Sequence, residues 1–181
     1  MIHPWHGLPA GSHPPEKVTA VVEIPSGSRN KYELDKESGL FRLDRVLYSA
    51  VHYPADYGFI PRTLAEDGDP ADILVLLNEP TFPGCQIDAR PIGVLRMTDR
   101  GEPDDKILAV PSNDPFYEEY FDIADIPQHY LREVEHFFHI YKDLEGKRVQ
   151  TIGWEQAPRA VQIIREALER YIEKFVVQSG P

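Results

Sequence analysis

The sequence predicts an α+β domain that is mainly β: a β body built before about residue 110, with two helices against it in the C-terminal half. Three observations lead there. Short apolar runs between Val18 and Val110 are separated by stretches rich in Pro, Gly and Asp, which is the pattern of strands and turns. After Asp125-Ile126-Pro127 the apolar spacing changes from that of strands to that of helices. Finally, 181 residues at 41% hydrophobic content suffice for one core without an apolar run long enough to cross a membrane. Residues 1–181 are therefore read as one domain, without repeat or linker.

In chain order, residues 1–17 (MIHPWHGLPAGSHPPEK) form an irregular lead-in packed on the domain, its histidines taken as plain surface groups. Strands are expected in VTAVVEI, NKYEL, GLFRLDRVL after a KESG turn, DILVLL, PIGVLRMTD and KILAV. Several short strands at close spacing suggest a barrel or a sandwich. One helix is carried by Leu131, Val134, Phe138 and Tyr141, and a second follows Pro158 with Val161, Ile164, Leu168, Tyr171, Ile172 and Phe175.

Charge narrows the partners. Nineteen Lys and Arg against thirty Asp and Glu give a net charge of −11, which opposes a nucleic-acid backbone or an anionic membrane and favours a divalent cation. The single cysteine, Cys85, cannot form an internal disulfide, and no secretory leader is recognisable at the start, so a cytoplasmic location is expected.

The informative feature is the parity of charged residues within strands. Side chains alternate with period two, so in FRLDRVL the charged Arg45 is expected on the face of Phe41, Leu43 and Leu47. Asp99 continues the face of Leu95 and Met97, Lys106 opens that of Leu108 and Val110, and Lys31 shares a face with Glu33. An inward charge without a partner is costly, so these groups are expected to meet in one polar pocket at the mouth of the β body.

That pocket would hold Glu23, Glu33, Asp67, Asp69, Asp72, Asp99 and Asp104 with Lys31, Arg45, Lys106 and Lys142, and hydroxyls from Tyr53, Tyr57 and Tyr141. Crowded carboxylates repel and would take up protons unless cations intervene. With oxygen ligands and no Cys or His among them, Mg²⁺ or Mn²⁺ is favoured, Ca²⁺ is allowed and Zn²⁺ is disfavoured. The bases suit phosphoryl oxygens, so metal-assisted phosphoryl chemistry is indicated. An EF-hand does not fit: counted from Asp67, the sixth position is Asp72 where Gly is required, and the twelfth is Asn78 where Glu is required. Asp56, Glu66, Asp105 and Asp114 are read as solvated or turn-forming acids, and His136 and His139 as packing or subunit-contact residues.

EDGDPADILV fits the D-x-D-P-x-D signature of soluble family I inorganic pyrophosphatases. EIPSGSRNKYE, LDRVLYSAVHYPADYGFIP, MTDRGEPDDKILAVP and HFFHIYKDLE fall in that family's order, and the sequence resembles its prokaryotic form from about Trp5 through the last helix. The resemblance implies a small distorted OB-like β-barrel flanked by helices, and Mg²⁺-dependent hydrolysis of pyrophosphate by direct attack of a water bridging two metals. By resemblance Asp67, Asp72 and Asp104 form the tightest metal site, with Asp72 shared. Glu23, Glu33, Asp99 and Asp104 serve metals arriving with substrate, and Asp69 is the general base. Lys31, Arg45, Tyr53, Tyr57, Lys106, Tyr141 and Lys142 match the phosphate-contacting and supporting set. Several Mg²⁺ ions per site, Mn²⁺ as a substitute, and a homohexamer are implied as well. Two other functions remain open on the residues alone: a different metal-dependent phosphohydrolase, and a binding module on an OB-like barrel, which the acidic charge opposes.

Overall fold

The computed structural model describes residues 2–177. Its strands and helices are, in chain order, β1 (Val18–Ile24), β2 (Asn30–Leu34), β3 (Phe41–Val46), β4 (Asp56–Phe59), β5 (Asp72–Val75), β6 (Gln86–Asp99), β7 (Glu102–Pro103), β8 (Lys106–Pro111), α1 (Gln128–Ile140), β9 (Val149–Gln156) and α2 (Ala157–Ile172). Neighbouring strands run β1-β4-β5-β8-β6, and the pairing of β1 with the start of β6 closes a distorted ring. All ring pairs are antiparallel except β5 with β8. The length of β6 makes this closure possible: it pairs with β1 and β8 in its first part, then with β9 and β7.

The DILVLL run is apolar without alternation because both faces of β5 are covered. Leu74 joins a cluster with Leu95, Met97, Leu108 and the α1 residues Leu131, Val134, Phe137 and Phe138. Ile73 and Val75 join another with Val94, Ile107 and the α2 residues Ala160 and Ile164. Burial of a side chain such as Phe138 stabilises by roughly 2–3 kcal/mol, so these two clusters hold the helices to opposite sides of the strands. Gly58 marks the tightest contact of the ring: a Cβ there would lie 1.9 Å from the Val21 carbonyl oxygen.

Several expectations are corrected. Three strands stand outside the six that the sequence predicts: β4, β7, and β9, which lies between the two helices. The apolar face of α2 is narrower than expected, with Ala160, Ile164, Ala167 and Tyr171 buried and Ile172 half exposed. The lead-in does pack on the body through buried Trp5, whose indole N–H donates to the Thr63 carbonyl at 2.8 Å. His6, however, is no plain surface group: its ring stacks on Trp5 at 4.4 Å, and its Nδ1 lies 2.8 Å from the Tyr171 hydroxyl.

The β3 parity also fails. Strands β2 and β3 form a separate hairpin in which Lys31 faces Arg45 while Tyr32 faces Leu43, so Asp44 is the extra residue of a bulge. Arg45 and Leu43 therefore occupy opposite faces, and Leu43 is 51% exposed rather than turned to the core.

Candidate active site

One cleft of about 510 Å³ opens at the mouth of the ring. The segment Ala65–Pro70 begins it. Gly68 adopts φ +90, which favours glycine, and the Asp67 carboxylate accepts the Asp69 N–H at 3.0 Å, so the turn presents two acids before the chain enters β5. Asp72 then opens β5 directly opposite Lys106, which opens the parallel strand β8. Lys106, 2% exposed, donates from Nζ to both Asp72 Oδ2 and Asp104 Oδ1, and lies over the rings of Tyr57 and Phe138.

Asp99 ends β6 at the tight turn into β7, made at Arg100 (φ 53) and Gly101 (φ 88), and Asp104 follows β7 on the way to β8. Lys142, just beyond α1, donates to Asp99 Oδ2 at 2.6 Å. The other Asp99 oxygen is buried and has no hydrogen-bond partner. Glu23 is the extra residue of a bulge in β1, which turns its carboxylate out of the strand pattern. There it accepts the Leu34 N–H at 2.8 Å, tying the β2–β3 hairpin to the ring. Lys31 donates to Glu33 on the same face of β2.

Twelve of the fourteen expected residues line this cleft: Glu23, Lys31, Glu33, Tyr57, Asp67, Asp69, Asp72, Asp99, Asp104, Lys106, Tyr141 and Lys142. The other two lie outside its lining. Tyr53 is buried in the core, its ring 4.8 Å from Phe137 and 5.3 Å from Tyr57. Arg45 follows the bulge in β3 and donates from Nε to Glu145 at 2.8 Å. Lys36, Arg100 and Glu102 line the cleft without having been expected. Lys36 and Arg100 sit in turns, where side-chain parity assigns no direction, and Glu102 opens the two-residue strand β7, too short to show a parity. Lys36 donates to Asp69 Oδ1, and its ammonium lies 5.9 Å from the Trp5 ring centre.

Two acids read as solvated are otherwise engaged. Asp56 is 1% exposed and accepts the N–H groups of Ser26 and Thr81 and the Thr81 hydroxyl. Asp105 accepts from Arg96 Nε at 2.8 Å on the side away from the cleft, as alternation requires for the neighbour of Asp104.

The electrostatics follow from crowding. Burial pushes the Glu23 carboxyl up to about 8, and Asp72 and Glu33 nearby add to it. Burial also raises Asp72, despite Lys106. Asp67 is raised by burial, with Asp69 and Asp104 contributing. For Asp104 burial acts upward, but Lys106, Lys142 and Lys31 outweigh it and hold the carboxyl below its ordinary range. Lys106 is held well above the ordinary lysine value: burial opposes the charge, and the two carboxylates more than offset it.

Among the described residues, no three His, Cys, Asp or Glu side chains stand close enough together, as arranged, to grip one ion. Lys106 explains part of this, since its ammonium occupies the space between Asp72 and Asp104. The donor set nevertheless fits a hard cation. Eight carboxylates line the cleft against five bases, one Asp99 oxygen is orphaned, and burial raises the Glu23 carboxyl to about 8, a cost that a nearby cation would offset.

Comparison with known proteins agrees with fold and cleft in pointing to a hydrolase. A family model described as inorganic pyrophosphatase matches residues 20–172. The inorganic pyrophosphatase of Geobacillus stearothermophilus is 55% identical over 157 residues, 87% of this chain and 95% of that protein. That of Haloferax volcanii is 50% identical over 176 residues, 97% and 99% of the two chains. The crystal structure of inorganic pyrophosphatase from Thermus thermophilus superposes with a TM-score of 0.90 at 43% identity, covering 94% of this chain and 99% of that one. The chain belongs to the inorganic pyrophosphatase family, in its bacterial-type family I form.

Proposed function

We propose that this chain hydrolyses inorganic pyrophosphate to two phosphates with the help of Mg²⁺, for which Mn²⁺ can substitute. The observation that carries the reading is the cleft itself: a surplus of carboxylates facing lysines, among them a Glu23 carboxyl raised by burial. The names of relatives more than half identical to it support the substrate.

Asp67, Asp72 and Asp104 would hold the tightest ion, and Glu23, Glu33 and Asp99 those that accompany substrate. Bound Mg²⁺ supplies acidification of water and neutralisation of the phosphoryl oxygens. Asp69, half exposed at the cleft rim, accepts the proton that water loses as its oxygen bonds to phosphorus. The bridging P–O bond breaks as that bond forms, and the leaving phosphate carries its charge toward Lys31 and Lys142, with Tyr57 and Tyr141 as hydroxyl donors. Arg45 and Tyr53 act in this reading as supports behind the cleft. Lys106 keeps Asp72 and Asp104 together while cations are absent.

The reading includes a cytoplasmic homohexamer with no nucleic-acid or membrane partner. Supporting it are the net charge, the lone cysteine, exposed apolar side chains such as Leu43 and Leu144, and the absence among the described residues of a helix long and apolar enough to span a bilayer. The test is phosphate release from pyrophosphate and from ATP, each with Mg²⁺ and with chelator. Release from pyrophosphate that depends on Mg²⁺ is expected, and faster release from ATP would redirect the reading to another phosphohydrolase.

A further inference from the structure

Behind the acidic wall of the cleft, on the outer face of β6, the Arg96 guanidinium joins three segments. Its Nε donates to Asp105 Oδ1 at 2.8 Å and its Nη1 to Glu155 Oε1 on β9 at 3.0 Å. Asp105 Oδ1 also accepts the Met97 N–H at 3.3 Å, and the Asp104 N–H donates to the Met97 carbonyl at 2.9 Å. The segment carrying Asp104, Asp105 and Lys106 is thus pinned to β6 by backbone on one side and by an ion pair on the other. The pair is well shielded, with side chains 24% and 15% exposed. Opposite Arg96 on β9 stands Gly153, where no side chain obstructs the guanidinium.

We infer that Arg96 and Asp105 are positioning residues for the metal site: their clasp fixes the strand entry from which Asp104 and Lys106 project into the cleft on either side of Asp105. Alternation makes the link direct. Asp104 and Lys106 point one way only while Asp105 is held the other way. A twist released at Asp105 moves Asp104 away from Asp72 and shifts the ammonium between them. This inference rests on the metal-binding reading of the cleft.

Positioning and plain electrostatics predict opposite signs. Arg96→Met removes a positive charge close to an acidic site, so Coulomb attraction alone would tighten divalent binding. If the clasp orients Asp104, the same change weakens it. The experiment is Mn²⁺ binding to the chelator-stripped full chain, by electron paramagnetic resonance of free Mn²⁺, for wild type, Arg96→Met, Arg96→Lys, Asp105→Asn and the Arg96→Met/Asp105→Asn double variant. Expected are a weakening of about threefold to tenfold in Arg96→Met and Asp105→Asn, a double variant no weaker than the worse single one, and Arg96→Lys within about twofold of wild type, consistent with loss of outer-shell support. Unchanged or tighter binding in Arg96→Met, or additive losses in the double variant, would overturn the clasp while leaving the metal site standing. Should Arg96→Met not fold, Arg96→Gln takes its place, since it removes the same charge and the two explanations again predict opposite signs, whereas Asp105→Asn, which removes a negative charge, counts only alongside an arginine variant. Wild type that binds no Mn²⁺ would overturn the clasp and the metal reading together.

Discussion

Asp72 and Lys106 stand in register across the one parallel pair of the ring, each the first residue of its strand, and the lysine ammonium donates to Asp72 and Asp104 at once. A buried ammonium between two carboxylates stabilises only as a set, because removal of one member leaves the others desolvated and unpaired. Lys106→Met is therefore expected to destabilise the chelator-treated protein by roughly 3–5 kcal/mol. Added Mg²⁺ should recover much of that loss by binding the folded state. Urea unfolding with chelator and with Mg²⁺ measures both, and equal stability of variant and wild type in chelator would deny the lysine this role.

Asp72 is the acid with the most central position, facing Lys106 and near the Tyr57 hydroxyl. Loss of outer-shell support alone typically costs 10- to 100-fold in metal affinity, so Asp72→Ala should weaken Mn²⁺ binding by at least about 100-fold. The comparison is titration against Glu33→Ala and Asp99→Ala, and a smaller effect at Asp72 than at either would remove it as the shared ligand.

Glu23 sets a pH dependence. Its folded-state carboxyl sits at about 8 against an ordinary 4.5, so across that window the folded protein keeps a proton that the unfolded chain releases. The associated stability is fully present below about 4.5 and is lost as pH rises through about 8. Chelator-treated protein should lose at most about 1.4 kcal/mol per pH unit from this group across the window. Glu23→Gln should lack that component. Urea unfolding of both proteins at several pH values is the check, and parallel pH profiles would show that Glu23 is ionised at neutrality.

How much of this was legible depended on whether strand parity survived. It did at Asp99, which continues the face of buried Leu95 and Met97, and at Lys106, so both charges were found by counting in twos. It failed at Arg45 because a bulge at Asp44 adds one residue, and bulges leave no mark in a single sequence. The bulge at Glu23 likewise hid why that carboxylate leaves the strand pattern. Lys36 could not be foreseen: its direction is set by a turn and by contacts with the lead-in, where the His3 Nε2 lies 3.0 Å from the Lys36 carbonyl oxygen. Strand β9 was missed because VQTIGWEQ is only partly buried, lacks a run of apolar residues and is enclosed by two strong helical periods.

Asp69 separates chemistry from stability. Its side chain is 54% exposed and its ion pair with Lys36 lies at the surface, where such pairs contribute little. The turn that holds it uses the Asp67 carboxylate and the Asp69 backbone, neither of which changes in Asp69→Asn. Folding stability should therefore stay within about 0.5 kcal/mol of wild type. Turnover of pyrophosphate should fall about 100- to 10,000-fold, because an amide cannot take the proton from water. Lys36→Met, which leaves the carboxylate and removes only its neighbour, should cost far less. Unfolding midpoints and saturating phosphate-release rates for the three proteins test the assignment, and an Asp69→Asn variant as fast as wild type would move the proton acceptor elsewhere in the cleft.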